Sequence, residues 1–167
     1  FYYISFTDMQ RTYRFNPLKP SVVKNENLLM QFIDDILGVN LGEGSKKDEW
    51  YMGALGVSKG TAIRFFKDFP EYCTLPHIVN FIIHSERQQL YNFLKASRGS
   101  KTLASGYLDA QGSERTQASI LSSLTNYISS LAFNKKVAYV LSGDYFDFNL
   151  IDPESPKLVA VSNSYAI

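Results

Sequence analysis

GSERTQASILSSLTNYISSLAF, residues 112–133, is the stretch whose reading decides the fold. Ile120, Leu121, Leu124, Tyr127, Ile128 and Leu131 recur at spacings of three and four, which places them on one face of a helix. Other parts of the chain have to cover that face. Ser113 suits the N-cap, and Glu114 and Gln117 stand in the first turn, where an acceptor or a negative group complements the exposed backbone N–H donors. The opposite face carries Ser119, Ser122, Ser123, Asn126 and Ser129, small and polar and without charge. It reads as a solvent face first, and as a surface for close approach of a backbone or a phosphate second.

Working outward, the 167 residues are 45% hydrophobic, 14% aromatic and 20% charged, the balance of a globular chain of one domain or of one domain with part of another. A chain of this size buries roughly 70% of its unfolded surface, so its core needs no disulfide or metal. Cys73 is the sole cysteine, which gives no disulfide framework and points to a reducing, cytoplasmic setting. A net charge of +1 excludes a uniformly electropositive nucleic-acid binder and leaves room for a local basic strip. No apolar run approaches the roughly 18 residues of a membrane span, and no signal segment opens the chain. The abrupt apolar start, FYYISF, reads as that of an excised fragment.

Residues 1–6 have the aromatic and β-favouring content of a buried strand, and residues 7–20, with Pro17 and Pro20, are extended. Residues 21–37 repeat apolar pairs every four positions and predict a helix closed by Gly38. Residues 41–47 read as a loop. From Asp48 to Phe66 the spacing is helical, but Gly53, Gly56 and Gly60 interrupt it, each costing up to about 1 kcal/mol relative to Ala. Either another helix packs closely on these glycines or the segment 48–68 is two helices broken near 56–60, and the break is the preferred reading. Thr74, Leu75 and Pro76 start a further helix, Ser85 with Glu86 restarts the chain, and residues 95–113 read as a long loop with one helical turn at 104–108. Residues 135–141 predict a short helix, 144–156 irregular chain and 157–162 a second apolar strand. The fold class is therefore mainly α: a multi-helix domain inserted between two short strands that belong to a larger sheet.

Three constellations bear on chemistry. Gly56-Val57-Ser58-Lys59-Gly60 matches the nucleophile-elbow spacing, with His77 and His84 downstream, yet an elbow requires a strand before the serine and the spacing here is helical. A serine hydrolase built on Ser58 is thus a weak alternative. Cys73, His77 and His84 could share one side of a helix as metal ligands, but a fourth ligand is not evident and partly buried, hydrogen-bonded histidines are the preferred reading. Lys95, Arg98 and Lys101 stand in a segment without an acid until Asp109, and Arg115 opens the helix of 112–133. Together they form a candidate strip for phosphate or an acidic partner. Gly44-Ser45-Lys46 lacks the spacing of a phosphate loop, and no window of the chain supplies it.

Tyr13-Arg14-Phe15-Asn16-Pro17-Leu18, Trp50 in DEWYMGA, Ser105-Gly106 followed by Gly112-Ser113-Glu114-Arg115-Thr116 and ILSSL, and residues 146–150 followed by PKLVAVSN succeed one another along nearly the whole chain. In that order they resemble the middle of the type IV coupling proteins, the TraG/TraD-like ATPases of conjugation and type IV secretion. The resemblance implies that residues 1–20 and 146–167 belong to a RecA-like nucleotide-binding core and that residues 21–145 are the inserted all-α domain. It implies a non-catalytic, substrate-recognition module, with Lys95, Arg98, Lys101 and Arg115 contacting DNA, a relaxase or a secreted effector. The alternative within the same family is an inter-subunit structural module without cargo contact. The phosphate loop, the acidic Mg²⁺-binding strand, the arginine finger and the membrane helices of the family have no counterpart in these residues and would lie outside them. The parent is then a membrane-anchored homohexamer using ATP and Mg²⁺, with this part on the cytoplasmic side and without a cofactor of its own.

Overall fold

The computed structural model describes residues 1–39, 48–143, 154 and 158–162. In chain order these form strand β1 (Tyr2–Ser5), helices α1 (Glu26–Val39), α2 (Glu49–Asp68), α3 (Leu75–His84), α4 (Arg87–Lys95), α5 (Arg98–Leu103), α6 (Ser105–Asp109), α7 (Glu114–Ala132) and α8 (Lys135–Leu141), and strand β2 (Val159–Ser162). Short 3-10 turns lie at Pro70–Tyr72 and Ala110–Gly112. The chain is mainly helical, as its periodicity predicts. The loop expected at 41–47 and the irregular stretch expected at 144–156 fall almost wholly outside the described residues.

Helix α2 is the centre of the body, not α7, and it is one continuous helix of 20 residues. The helix break expected at 56–60 is not there. The reason is the other alternative: neighbouring backbone lies against the glycines. A Cβ at Gly56 would stand 2.6 Å from the carbonyl oxygen of Leu103, one at Gly60 would stand 3.0 Å from that of Ser100, and one at Gly53 would meet Ile120 Cγ1 at 2.8 Å. The glycines are thus the contact faces for α5 and α7. Packing of this kind outweighs the weak helix propensity of glycine. Asp48 starts the helix by accepting the Tyr51 N–H at 2.9 Å.

The segment 95–113, expected as a loop with one helical turn at 104–108, contains α6 at that turn and, beyond the expectation, α5. Its Ser, Gly and Lys content hides the pattern, but Ser100, Ala104, Tyr107 and Leu108 are buried, which provides the inward face that these short helices need. Ser97 caps α5 through a Ser100 N–H bond of 3.3 Å. Helix α1 begins at Glu26 rather than at 21, because Asn25 accepts the Leu28 N–H, and Gly38 lies inside its last turn. The caps predicted at Thr74 and Ser113 are present, and Glu86 forms a reciprocal capping box with Gln89. On α7, Ile120, Leu124 and Ile128 are buried and Ser122 and Asn126 are exposed.

One apolar cluster runs from Leu18 through Leu29 and Ile33 of α1, Tyr51 and Val57 of α2, and Leu90 and Leu94 of α4 to Leu124 and Ile128 of α7. The strand pair sits beside this cluster. β1 and β2 are parallel neighbours, with Tyr2 opposite Val159 and Ser5 opposite Ser162. On the other side of β1 the Tyr13 N–H donates to the Tyr3 carbonyl at 2.8 Å and the Ser5 N–H to Thr12 Oγ1 at 2.9 Å.

The following residues fasten the strands to the helices. Arg14 Nε donates to the Tyr139 carbonyl at 2.9 Å at the end of α8, and its guanidinium lies 4.3 Å from the Tyr139 ring centroid. The Phe15 N–H donates to the Val140 carbonyl at 2.9 Å, and Asn16 Nδ2 donates to the Cys73 carbonyl at 2.8 Å. Gly143 is pressed against Arg14, where a Cβ would collide with the Arg14 Cβ and backbone.

Gly56→Ala is expected to destabilise the fold by roughly 1–3 kcal/mol because its methyl group meets a backbone oxygen. Gly38→Ala, with open space around it, is expected to be neutral or to stabilise by up to about 1 kcal/mol. Urea unfolding of the two variants measures both, and equal effects would contradict the packing described.

Candidate partner-binding surface

Four cations were singled out by sequence, and the structure separates them. Arg98 and Lys101 share the exposed side of α5, one turn apart. Neither has an ion-pair partner among the described residues. Lys95 ends α4, where a cation suits the helix C-terminus, and its Nζ lies 5.6 Å from the Tyr91 ring centroid. Arg115 is exposed in the first turn of α7 beside Glu114. Helices α5 and α7 each pack on α2 and on α6, and Arg115 stands on a different helix from Arg98 and Lys101.

Two hollows flank Leu103, the last residue of α5. One, of about 480 Å³, is bounded by Met30 of α1, Ile63 and Lys67 of α2, and Arg98 and Thr102 of α5. Within it Lys67 Nζ pairs with Glu26 at 2.6 Å, which leaves Arg98 as the uncompensated charge. The other, of about 510 Å³, is bounded by Glu49, Trp50 and Met52 of α2, Gly106 of α6, and Thr116 and Ile120 of α7. No sequence pattern announced these hollows. Their walls come from residues 26 to 120, and only the mixed exposure of Trp50 and Met52 on an otherwise buried helix marks them.

The other candidate residues serve the fold. Ser58 lies mid-helix in α2, 3% exposed, with helix on both sides. The strand that a nucleophile elbow requires does not precede it. Lys59 in the same pentapeptide pairs with Asp34 of α1 at 2.7 Å. His77 and His84 are exposed, where partly buried, hydrogen-bonded histidines were expected, and Cys73 is buried. His77 lies 5.4 Å, ring to ring, from Tyr72. Among the described residues no three His, Cys, Asp or Glu side chains are grouped to hold a metal ion. None of the described helices is long and apolar enough to cross a membrane.

Arg64 shows how completely some cations are used internally. It pairs with Asp68 at 3.2 Å, donates to the Phe93 carbonyl and lies 4.4 Å from the Phe93 ring centroid. Phe93 in turn packs on Phe81 at 4.4 Å and on Phe65 at 5.4 Å, which joins α2, α3 and α4. A cation held this way offers little to a ligand.

Burial pushes the Cys73 thiol up to about 11 from its ordinary 9.0. Burial also raises Tyr51, with Asp34 and Tyr127 adding to the effect, and raises Tyr107 against the opposing influence of Arg87. Compared with protein-family models, with curated proteins and with solved structures, the chain matches none.

A proton held more tightly by the folded chain stabilises it fully below the unfolded-state value. That contribution disappears as pH climbs from about 9 to about 11. Urea midpoints are therefore expected to fall across this window, and iodoacetamide is expected to label Cys73 at neutral pH only as fast as the chain opens. Rapid labelling of the native protein would contradict the burial of the thiol.

Proposed function

We propose that this chain is the substrate-recruiting, non-catalytic helical module of a TraG/TraD-like coupling ATPase, carried between adjacent strands of the parent's RecA-like sheet. The observation that carries the reading is the strand pair. β1 and β2 lie side by side and parallel although more than 150 residues separate them, so the whole helical body is the crossover between them. Parallel strands occur almost only within sheets covered on both faces, and a lone two-stranded ribbon is at best marginally stable. A helical body inserted into a larger sheet satisfies both conditions.

In this reading ATP and Mg²⁺ belong to other parts of a homohexameric, membrane-anchored parent, and this body works on its cytoplasmic side. Cargo, either relaxase-bound DNA or a secreted protein, is met by the α5 surface. Two features support that role: among the described residues Arg98 and Lys101 have no ion-pair partner, and Arg98 lines one of the two hollows that flank Leu103.

The test is a segment exchange. Residues 1–167, placed in a coupling ATPase of known cargo in lieu of its own all-α segment and the two strands that flank it, are expected to leave ATP turnover intact and to abolish transfer of that cargo. Intact turnover with unchanged transfer would overturn the recruiting role.

A further inference from the structure

We propose that the surface on both sides of Leu103 is a peptide-binding groove, and that its occupant is a linear protein segment with two apolar anchor residues and an acidic end. This rests on the recruiting role and names the class of cargo that the surface accepts.

The hollows are adjacent, since Leu103 lines both. Each is large enough for a bulky side chain. The floor of the first is Met30 and Ile63, and the second offers Trp50, Ile120 and Met52, the last 55% exposed. Flexible, polarisable methionines adapt to different apolar anchors, and desolvated apolar pockets are where interfaces concentrate their binding energy.

Charge sets the orientation. In the first hollow Lys67 and Glu26 neutralise each other, so Arg98 provides the net charge, with Lys101 one turn further along α5. A carboxylate on the ligand belongs here, because Arg offers it a two-pronged hydrogen bond. Among the described residues lining the second hollow the charged side chain is Glu49, so an acid is repelled from that end. A segment bound across Leu103 is thus acidic at the Arg98 end and not at the Trp50 end.

Nucleic acid fits less well. Among the described residues of this surface only Arg98 and Lys101 are cations without an ion-pair partner, and they support only about two phosphate contacts, too few for appreciable backbone affinity at physiological salt. Trp50, the aromatic residue lining the second hollow, stands beside Glu49, which repels the phosphate that would accompany a base stacked there.

Trp50 is also the only tryptophan in the chain, so its emission reports on the groove alone. The experiment adds four probes to the full chain: a peptide of alternating Glu and Leu, its Lys-for-Glu and Ser-for-Leu versions, and a single-stranded oligonucleotide. Fluorescence anisotropy of the probe and Trp50 emission are both recorded. The Glu/Leu peptide is expected to bind and to shift Trp50 emission to the blue, and both altered peptides to bind at least about tenfold more weakly. Arg98→Glu is expected to weaken the Glu/Leu peptide by a similar factor. An acid in the first turn of α5 suits the helix N-terminus, so the variant keeps its fold, which circular dichroism verifies.

Equal binding of the Lys-for-Glu peptide, or indifference to Arg98→Glu, overturns the charge assignment. Binding of the oligonucleotide but not of the peptide overturns the peptide class and leaves the recruiting role standing. If no probe binds, the groove proposal is overturned by itself when the segment exchange still alters cargo transfer. The recruiting role falls with it when the exchange leaves transfer unchanged.

Discussion

The carbonyl oxygen of Leu103 lies where a side chain at position 56 would begin, and the arrangement of the other helices follows from that approach. Glycine at 53, 56 and 60 turns one side of α2 into a smooth channel of backbone. Helices α5 and α6 settle into it and α7 packs alongside, while α1 covers another side through Lys59 and Asp34. Close contact replaces large side chains as the source of cohesion there, and dispersion between backbones at van der Waals distance supplies the attraction. The cost is an intolerance of any added atom.

How much of this was legible depended on whether the information was local. Apolar spacing located α1, α3, α4, α7 and α8, and polar caps at Asp48, Thr74 and Ser113 started three helices where expected, because a cap is a contact between near neighbours in the chain. The strands at both ends were legible from their aromatic and branched residues. The glycines of α2 were ambiguous, since a glycine that breaks a helix and a glycine that receives another helix look alike until the partner is known. Residues 95–113 were legible in part: α6 occupies the turn expected at 104–108, whereas the Ser, Gly and Lys content of α5 hid that helix. Ser100, Ala104, Tyr107 and Leu108 face inward there, and Ser100, the inward residue of α5, carries no apolar signal.

The candidate surface was legible only in part. Arg98 and Lys101 lie together on the exposed side of α5, whereas Lys95 and Arg115 stand on α4 and α7, a distribution that proximity in sequence does not reveal. The hollow beside Arg98 could not be read at all, because Met30, Ile63 and Leu103 are brought together from three helices. Internal use of charge was equally invisible. Lys59 and Arg64 look in the sequence like any other basic residue, yet one ties α1 to α2 and the other lies over an aromatic ring.

Arg14, Phe15 and Asn16 join three parts of the molecule within three consecutive residues, bonding to the end of α8 and to the turn before α3 just after β1. A joint with so many bonds and a glycine pressed against it cannot act as a loose swivel. The same bonds hold the strand pair, α8 and the turn before α3 in one fixed relation, so a displacement of any one of them has to break contacts to the other two.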